Sequence, residues 1–470
     1  MKRSIKVGVA FAAAAVLAAP AIPASAAAKA GQSCKKLGEV VGGLTCTKQG
    51  TKRVYKATTA AAPAVTAATT PGAAPAPAPA GLQVGPGFDG KTISVGYLGN
   101  VTASDQFPNS LLFADGGKAF TAGFNSLMER VNAAGGVAGK YKIKIVFKET
   151  YYTGSEGVKA YAEIKNNVAM IAQIYGTPVT QALAKSLAED NVVASPVSLD
   201  AAWINNPNLL PIGGIYQDQA INLLDYAVKE GGQAGKTFCA LSLASAYGDA
   251  GDAGFVYGAA KLGLKVGVKV KASTAPAQAQ ALKDGKCDVV LATLSGESGM
   301  TPMLTETAKL DYFPTFLGLS PSFASRSIVP ANSAQYSKQV IIASDAPQWG
   351  DESIPGMKSF LADMRRSAPQ LIGNPNPAAI WGQAQARAVV ALLEKAVSNG
   401  DLSKDGMKKA LATLGPVSNE GMFPDWDYKN PAERIGPPQS FIAVPDISVP
   451  GGLRVVKAWT SELAKQYRNA

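Results

Sequence analysis

From Lys91 onward the chain alternates short apolar runs with amphipathic stretches, and this alternation limits the fold more than any single motif. TISVGYLG at 92–99 reads as a strand, 119–134 as a helix stopped by Gly135-Gly136, YKIKIVFKET as a strand, 157–166 as a helix, and MIAQIYG as the next strand. TPVTQALAKSLAED then reads as a helix and VVASPVS as a strand. Val- and Ile-rich runs bounded by turn residues suit strands, whereas a 3.6-residue period suits helices. Regular alternation predicts a parallel sheet covered by helices on both faces, because parallel neighbours need a crossover between them. A second series restarts near Gln219 and runs KTFCALSLA, a helix at 251–261, LKVGVKVKA, AQAQALKDG, CDVVLATLS, MLTETAKL and PTFLGLS. The restart favours two lobes. An Ala-rich helix at 378–398, another in GMKKALATLG, and late strands FIAVP and LRVVKAW follow.

Within this frame the stretch IAQIYGTPVT, 171–180, is the natural organiser. A buried strand breaks at Gly176 into a helix beginning Thr177-Pro178, where proline is harmless and backbone N–H groups lack intrahelical partners. Such a helix start cradles an anion.

Composition excludes several classes. The formal charge of +11 is concentrated at the N-terminus: residues 1–56 carry a net +9, the remainder only +2. A nearly neutral body argues against nucleic acid as a partner. The chain has no histidine, which removes the commonest general base and metal ligand. Paired acids at convincing spacing are missing too, so no enzyme, metal site or cofactor is expected.

The N-terminus reads as a secretory signal over 1–26: Lys2, Arg3 and Lys6, an apolar core, then small residues around Ala24-Ser25-Ala26. The mature chain is expected to be exported, extracellular or associated with the cell envelope, without a transmembrane helix. Residues 31–56 form a small basic module in which an exported setting makes Cys34–Cys46 the natural disulfide. Its charge suits an anionic cell-wall polymer, and a merely solvated surface is the plainer reading. Residues 57–88 form an Ala/Pro/Thr-rich spacer.

RVNAAGGVAGKYKIKIVFKET, IYGTPVTQALAKSLAEDNVVASPVS, SAYGDAG and PTFLGLSPSF together resemble the type I periplasmic substrate-binding proteins of ABC importers, in the branched-chain amino acid and amide branch. The resemblance covers roughly 91–456. It implies two doubly wound parallel-sheet lobes joined by three crossovers, near Gly214, 343–346 and Pro438. Lobe one would then take 89–215 and 346–437, lobe two 216–343 and 438–460, and 461–470 would form a tail. Ligands in such sheets sit beyond the carboxyl ends of the strands.

By that resemblance, Gly176, Thr177 and Thr180 hold a ligand carboxylate, Ser198 contacts it, and Tyr247 lies over the ligand. Ser320 stands where amino-acid binders often carry the acid that holds the ammonium group. Without that acid, either Glu297 supplies the negative charge or the ligand has no amino group there. Loop aromatics Phe107, Tyr151, Tyr152, Tyr175, Trp203 and Trp349 are candidates for the cleft or for ordinary core, with Tyr151, Tyr175 and Trp203 preferred for the cleft. The loop 99–117 looks longer than its family counterpart. Cys239 and Cys287 fall on strands that are neighbours in a sheet of this type, so either a disulfide or two buried thiols fits. The implied function is a non-enzymatic, monomeric receptor that captures an amino-acid-like or amide-like solute for an ABC permease. The alternative is a ligand-sensing or wall-associated receptor of the same fold that is not coupled to transport.

Overall fold

The computed structural model describes residues 33, 40–41, 44–49, 52–57, 81–271 and 273–467. The predicted signal, Cys34, residues 58–80 of the spacer and residues 468–470 of the tail lie outside them. The chain divides into two units, Met1–Ala73 and Ala74–Ala470. In the first, β1 (Val40–Val41), β2 (Leu44–Gln49) and β3 (Lys52–Ala57) form an antiparallel sheet, and Cys46 is buried and disulfide-bonded.

The second unit holds two α/β lobes. In the first lobe, β4 (Thr92–Gly99), α1 (Pro108–Ala133), β5 (Lys142–Glu149), α2 (Gly154–Ile164), β6 (Ile171–Tyr175), α3 (Thr177–Glu189) and β7 (Ala194–Val197) follow in turn. Their four strands are parallel in the order β5-β4-β6-β7. The second lobe takes α4 (Tyr216–Lys229), β8 (Thr237–Ser242), α5 (Ala246–Leu262), β9 (Lys265–Lys271), α6 (Ala275–Asp284), β10 (Val289–Thr293), α7 (Thr301–Lys309), β11 (Thr315–Gly318), α8 (Ser333–Gln339) and β12 (Val340–Ser344). The chain then returns to the first lobe through α9 (Met357–Ser367), α10 (Gln370–Gly373), α11 (Ala378–Ser398), α12 (Lys404–Ala412), β13 (Gly415–Val417) and β14 (Trp426–Tyr428). Finally β15 (Ser440–Pro445) and β16 (Leu453–Trp459) complete a seven-stranded sheet ordered β16-β15-β12-β11-β10-β8-β9, followed by α13 (Glu462–Gln466). Strands β8 to β12 are parallel, and the two late strands join antiparallel at one edge.

Strand order reverses between β4 and β6 in one sheet and between β8 and β10 in the other. Crossovers therefore leave in opposite directions at those points and open a crevice at the carboxyl ends. The linking segments meet at a narrow waist: a Cβ on Gly214 would lie 3.0 Å from the Pro437 carbonyl oxygen, 3.1 Å from Asp345 Oδ1 and 3.4 Å from the Gln439 carbonyl oxygen.

Helices α1 and α11 pack through reciprocal glycines. A Cβ on Gly123 would meet the Ala379 carbonyl oxygen at 1.9 Å, and one on Gly382 would meet that of Phe120 at 1.9 Å. Two backbones approach this closely only where side chains are absent. Helix α1 also begins earlier than expected, at Pro108, so most of the supposed loop 99–117 is helical. Gly116-Gly117 looks like a loop signal, but a Cβ on Gly117 would lie 1.8 Å from the Asn100 carbonyl oxygen, so close packing against the end of β4 explains that glycine. Phe88, read as the end of the spacer, is buried edge-to-face on Tyr141 at 5.2 Å.

Cys239 of β8 and Cys287 just before β10 form a buried disulfide with a Cα–Cα distance of 5.8 Å and a sequence separation of 48. Closing a loop of that length restricts the unfolded chain by roughly 2–4 kcal/mol. The Cys239→Ala/Cys287→Ala double variant should lose about that much stability in urea unfolding.

Candidate ligand-binding site

A cavity of about 1010 Å³, counting its open mouth, lies at the carboxyl ends of both sheets. The first lobe contributes Leu112, Phe113, Asp115 and Gly116 of α1, Tyr152 beyond β5, Tyr175-Gly176 at the end of β6, and Val197. The second contributes Tyr247 of α5, Gly296, Ser320 and the segment around Phe323 to Ser325. Asn376, Pro377 and Trp381 close one side. A smaller hollow of about 250 Å³ shares Ser344, Pro377 and Leu453 with the cavity and runs on toward Trp349 and Gly451.

The wall is aromatic and self-supporting. Tyr216 meets Tyr247 edge-on at 4.8 Å, Phe113 meets Tyr152 at 4.6 Å, and Phe120 meets Tyr175 at 5.9 Å. Such contacts add about 0.5–1.5 kcal/mol each beyond burial. Burial pushes the phenols of Tyr152, Tyr175, Tyr216 and Tyr247 above their ordinary range, so all four are neutral near pH 7. Tyr247 Oη donates to the Leu294 carbonyl at 3.4 Å. Asp115 is the one charged group among the described lining residues, and it is already paired with Arg326 across the mouth and with Lys118 at 3.7 Å.

Five residues considered for the site, Tyr152, Tyr175, Gly176, Tyr247 and Ser320, line the cavity. Four others lie behind the wall, bonded to one another or to backbone. Ser198 Oγ donates to Thr177 Oγ1 at 2.8 Å, Trp203 Nε1 donates to Ser198 Oγ at 2.8 Å, and Thr180 Oγ1 donates to the Gly176 carbonyl at 3.0 Å. Tyr151 stacks on Phe107 at 4.4 Å and is not part of the lining. Trp349 packs edge-on against Phe360 at 4.9 Å. The side chain of Glu297 lies outside the described residues; its neighbour Gly296 reaches the cavity. Sequence reasoning did not single out Phe113, Asp115, Tyr216 or Trp381. The first two follow only once α1 is extended to Pro108, and the others look like ordinary helix core.

Ser320 connects the cavity to the waist. Its backbone N–H and its hydroxyl both donate to Gln219 Oε1 at 3.0 Å, and Gln219 Nε2 donates to Asp345 Oδ2 at 2.8 Å. Asp345 is fully buried, and burial drives its carboxyl well above the usual range despite hydrogen bonds from Gly214 and Gln219. A raised folded pKa gives stability that is complete below the unfolded value of about 3.9 and is lost as pH climbs toward the folded one. Asp345→Asn cannot titrate. Between pH 4.5 and 8, the difference in unfolding free energy should therefore shift in the variant's favour; a constant difference in urea unfolding would exclude a neutral Asp345.

Residues 92–441 match the family model described as periplasmic binding protein. Among solved structures, the fold is similar to a fatty acid ABC transporter substrate-binding protein from Thermomonospora curvata, with TM-score 0.75 and 24% identity over 84% of this chain and 98% of that one. A branched chain amino acid ABC transporter from Thermus thermophilus with bound valine matches with TM-score 0.68 and 16% identity over 82% of this chain and 99% of that one. A solute binding protein from R. palustris in complex with 4-hydroxybenzoate matches with TM-score 0.63 and 17% identity over 79% and 98% respectively. At these identities the structures speak to the fold alone. A search of curated protein sequences returns no match.

Proposed function

Because the chain belongs to the periplasmic binding protein family, we propose that it captures a small, largely apolar solute between its lobes and presents it to an ABC permease. Members of this family are exported solute-binding proteins, and the chain is not an enzyme. No helix among the described residues is long and apolar enough to cross a membrane.

The observation that carries the reading is the lining itself: mostly aromatic and aliphatic side chains, the neutral polar Ser320, Ser325, Ser344 and Asn376, and one carboxylate, already paired. Burying apolar surface there gives about 25 cal/mol per Å². An unpaired ammonium group would cost several kcal/mol. Of the amino-acid-like and amide-like ligands that the sequence suggests, the lining therefore favours the amide-like. The neighbours' names span a fatty acid transporter, bound valine and 4-hydroxybenzoate, each with an apolar body, so the preference for apolar matter has company on this fold. In the N-terminal unit, Lys48, Lys52 and Arg53 are solvent-exposed, which suits contact with an anionic envelope polymer.

Thermal shift of the full chain against branched-chain amino acids, their amides, aromatic acids and medium-chain fatty acids should show midpoints raised by amides or other apolar solutes and not by the amino acids. Phe113→Ala should weaken the best ligand about tenfold, by removing roughly 1.4 kcal/mol of apolar contact. A midpoint raised only by zwitterionic amino acids would overturn the reading.

A further inference from the structure

Two consecutive tyrosines beyond β5, Tyr151 and Tyr152, adopt left-handed backbone angles, with φ of 50° and 56°. Bulky residues avoid this region, and they stay there only where their surroundings impose it. Glu149 imposes it here. Its Oε1 accepts the backbone N–H groups of Thr150 and Tyr151 at 3.0 Å, while Oε2 accepts those of Val101 at 3.0 Å and Thr102 at 2.9 Å. Thr153 Oγ1 closes the turn on the Tyr151 carbonyl at 3.1 Å.

The turn lays the Tyr152 ring against Gly176, the residue through which β6 enters α3. A Cβ on Gly176 would lie 2.3, 2.8 and 2.9 Å from three atoms of that ring. Phe113 and Tyr175 hold the ring from its other sides, at 4.6 and 6.2 Å. Of residues 176–180, Gly176 alone reaches the cavity; Thr177, Val179 and Thr180 are buried, and Thr177 Oγ1 already accepts from Ser198. At the start of α3 the Gly176 N–H already donates to the Val197 carbonyl at 3.3 Å and Pro178 has none, which leaves the N–H groups of Thr177 and Val179 for an anion, and the Tyr152 ring stands over Gly176 in front of them.

We propose that Tyr152 is a plug over the α3 cradle, making the cleft selective for apolar solutes with an uncharged polar head over otherwise identical carboxylates. This rests on the interlobe capture of an apolar solute set out above. The exclusion comes from the ring over Gly176, which Tyr152→Phe keeps and Tyr152→Gly removes.

The test uses the full chain, Tyr152→Gly and Tyr152→Phe, titrated calorimetrically with 4-methylpentanoate and with 4-methylpentanamide, which share an apolar body and differ in the head. Glycine suits the left-handed angle, so its variant should fold; the phenylalanine variant keeps the ring. Wild type and Tyr152→Phe should bind the amide at least about tenfold more tightly than the carboxylate, and Tyr152→Gly should raise carboxylate affinity by about tenfold or more. Wild type binding the carboxylate as well as the amide overturns the plug. So does a Tyr152→Gly variant that binds the amide with an unchanged preference; both results leave apolar capture standing. Neither probe binding any of the three proteins overturns the plug and the apolar reading together.

Discussion

Three chain crossings share one narrow waist, and the rest of the second unit depends on how their backbones are satisfied there. Gly214 leaves room for the Pro437 carbonyl and for Asp345, whose carboxyl is buried against it. Asn222 Nδ2 donates to the Pro438 carbonyl at 2.7 Å and to Ser440 Oγ at 3.0 Å, so α4 stitches the outgoing strand segment to the returning one. Buried polar groups of this kind hold a unique arrangement only when they are paired. Lobe closure in such folds is rotation about a few linking residues, and here those residues are bonded through Gln219 to Ser320 on the cavity wall. The waist and the cavity wall are thus two ends of one hydrogen-bonded chain.

The cavity follows a consistent electrostatic rule. Charge stays at the mouth, where Asp115 of α1 pairs with Arg326 of the opposite lobe, and the interior presents neutral phenols. In a low-dielectric interior each hydroxyl that finds a partner counts for more than it would in water, and each unpaired charge costs more. The hydroxyls of Thr177, Thr180 and Ser198 are already engaged behind the wall, so the cavity presents rings and a few polar atoms facing inward.

Most of the architecture was legible because it is written in local periodicity. Val/Ile runs and helical periods placed the strands of both series, while the neighbouring-strand argument left a Cys239–Cys287 disulfide and two buried thiols both open, and the fold forms the disulfide. The start of α1 was not legible, because Gly116-Gly117 signals a turn to local reading while serving close contact with Asn100 in the fold. For the site, the strand end located Gly176, and the family resemblance Tyr247 and Ser320, on the wall. Residue type alone could not say which hydroxyls face a ligand and which face each other, since Thr177 and Ser198 lie 21 positions apart and meet only when β6 and β7 pair.

The sequence by itself determined that strand and helix alternate in two series, as parallel sheets covered by helices require, and that a helix begins directly after Gly176. Only the tertiary structure decided what stands before that helix. Glu149 reaches backbone groups on two separate segments, and the turn it enforces carries Tyr152 onto Gly176. The physical reason is that side-chain direction at a turn depends on hydrogen bonds from distant backbone, which no local pattern records.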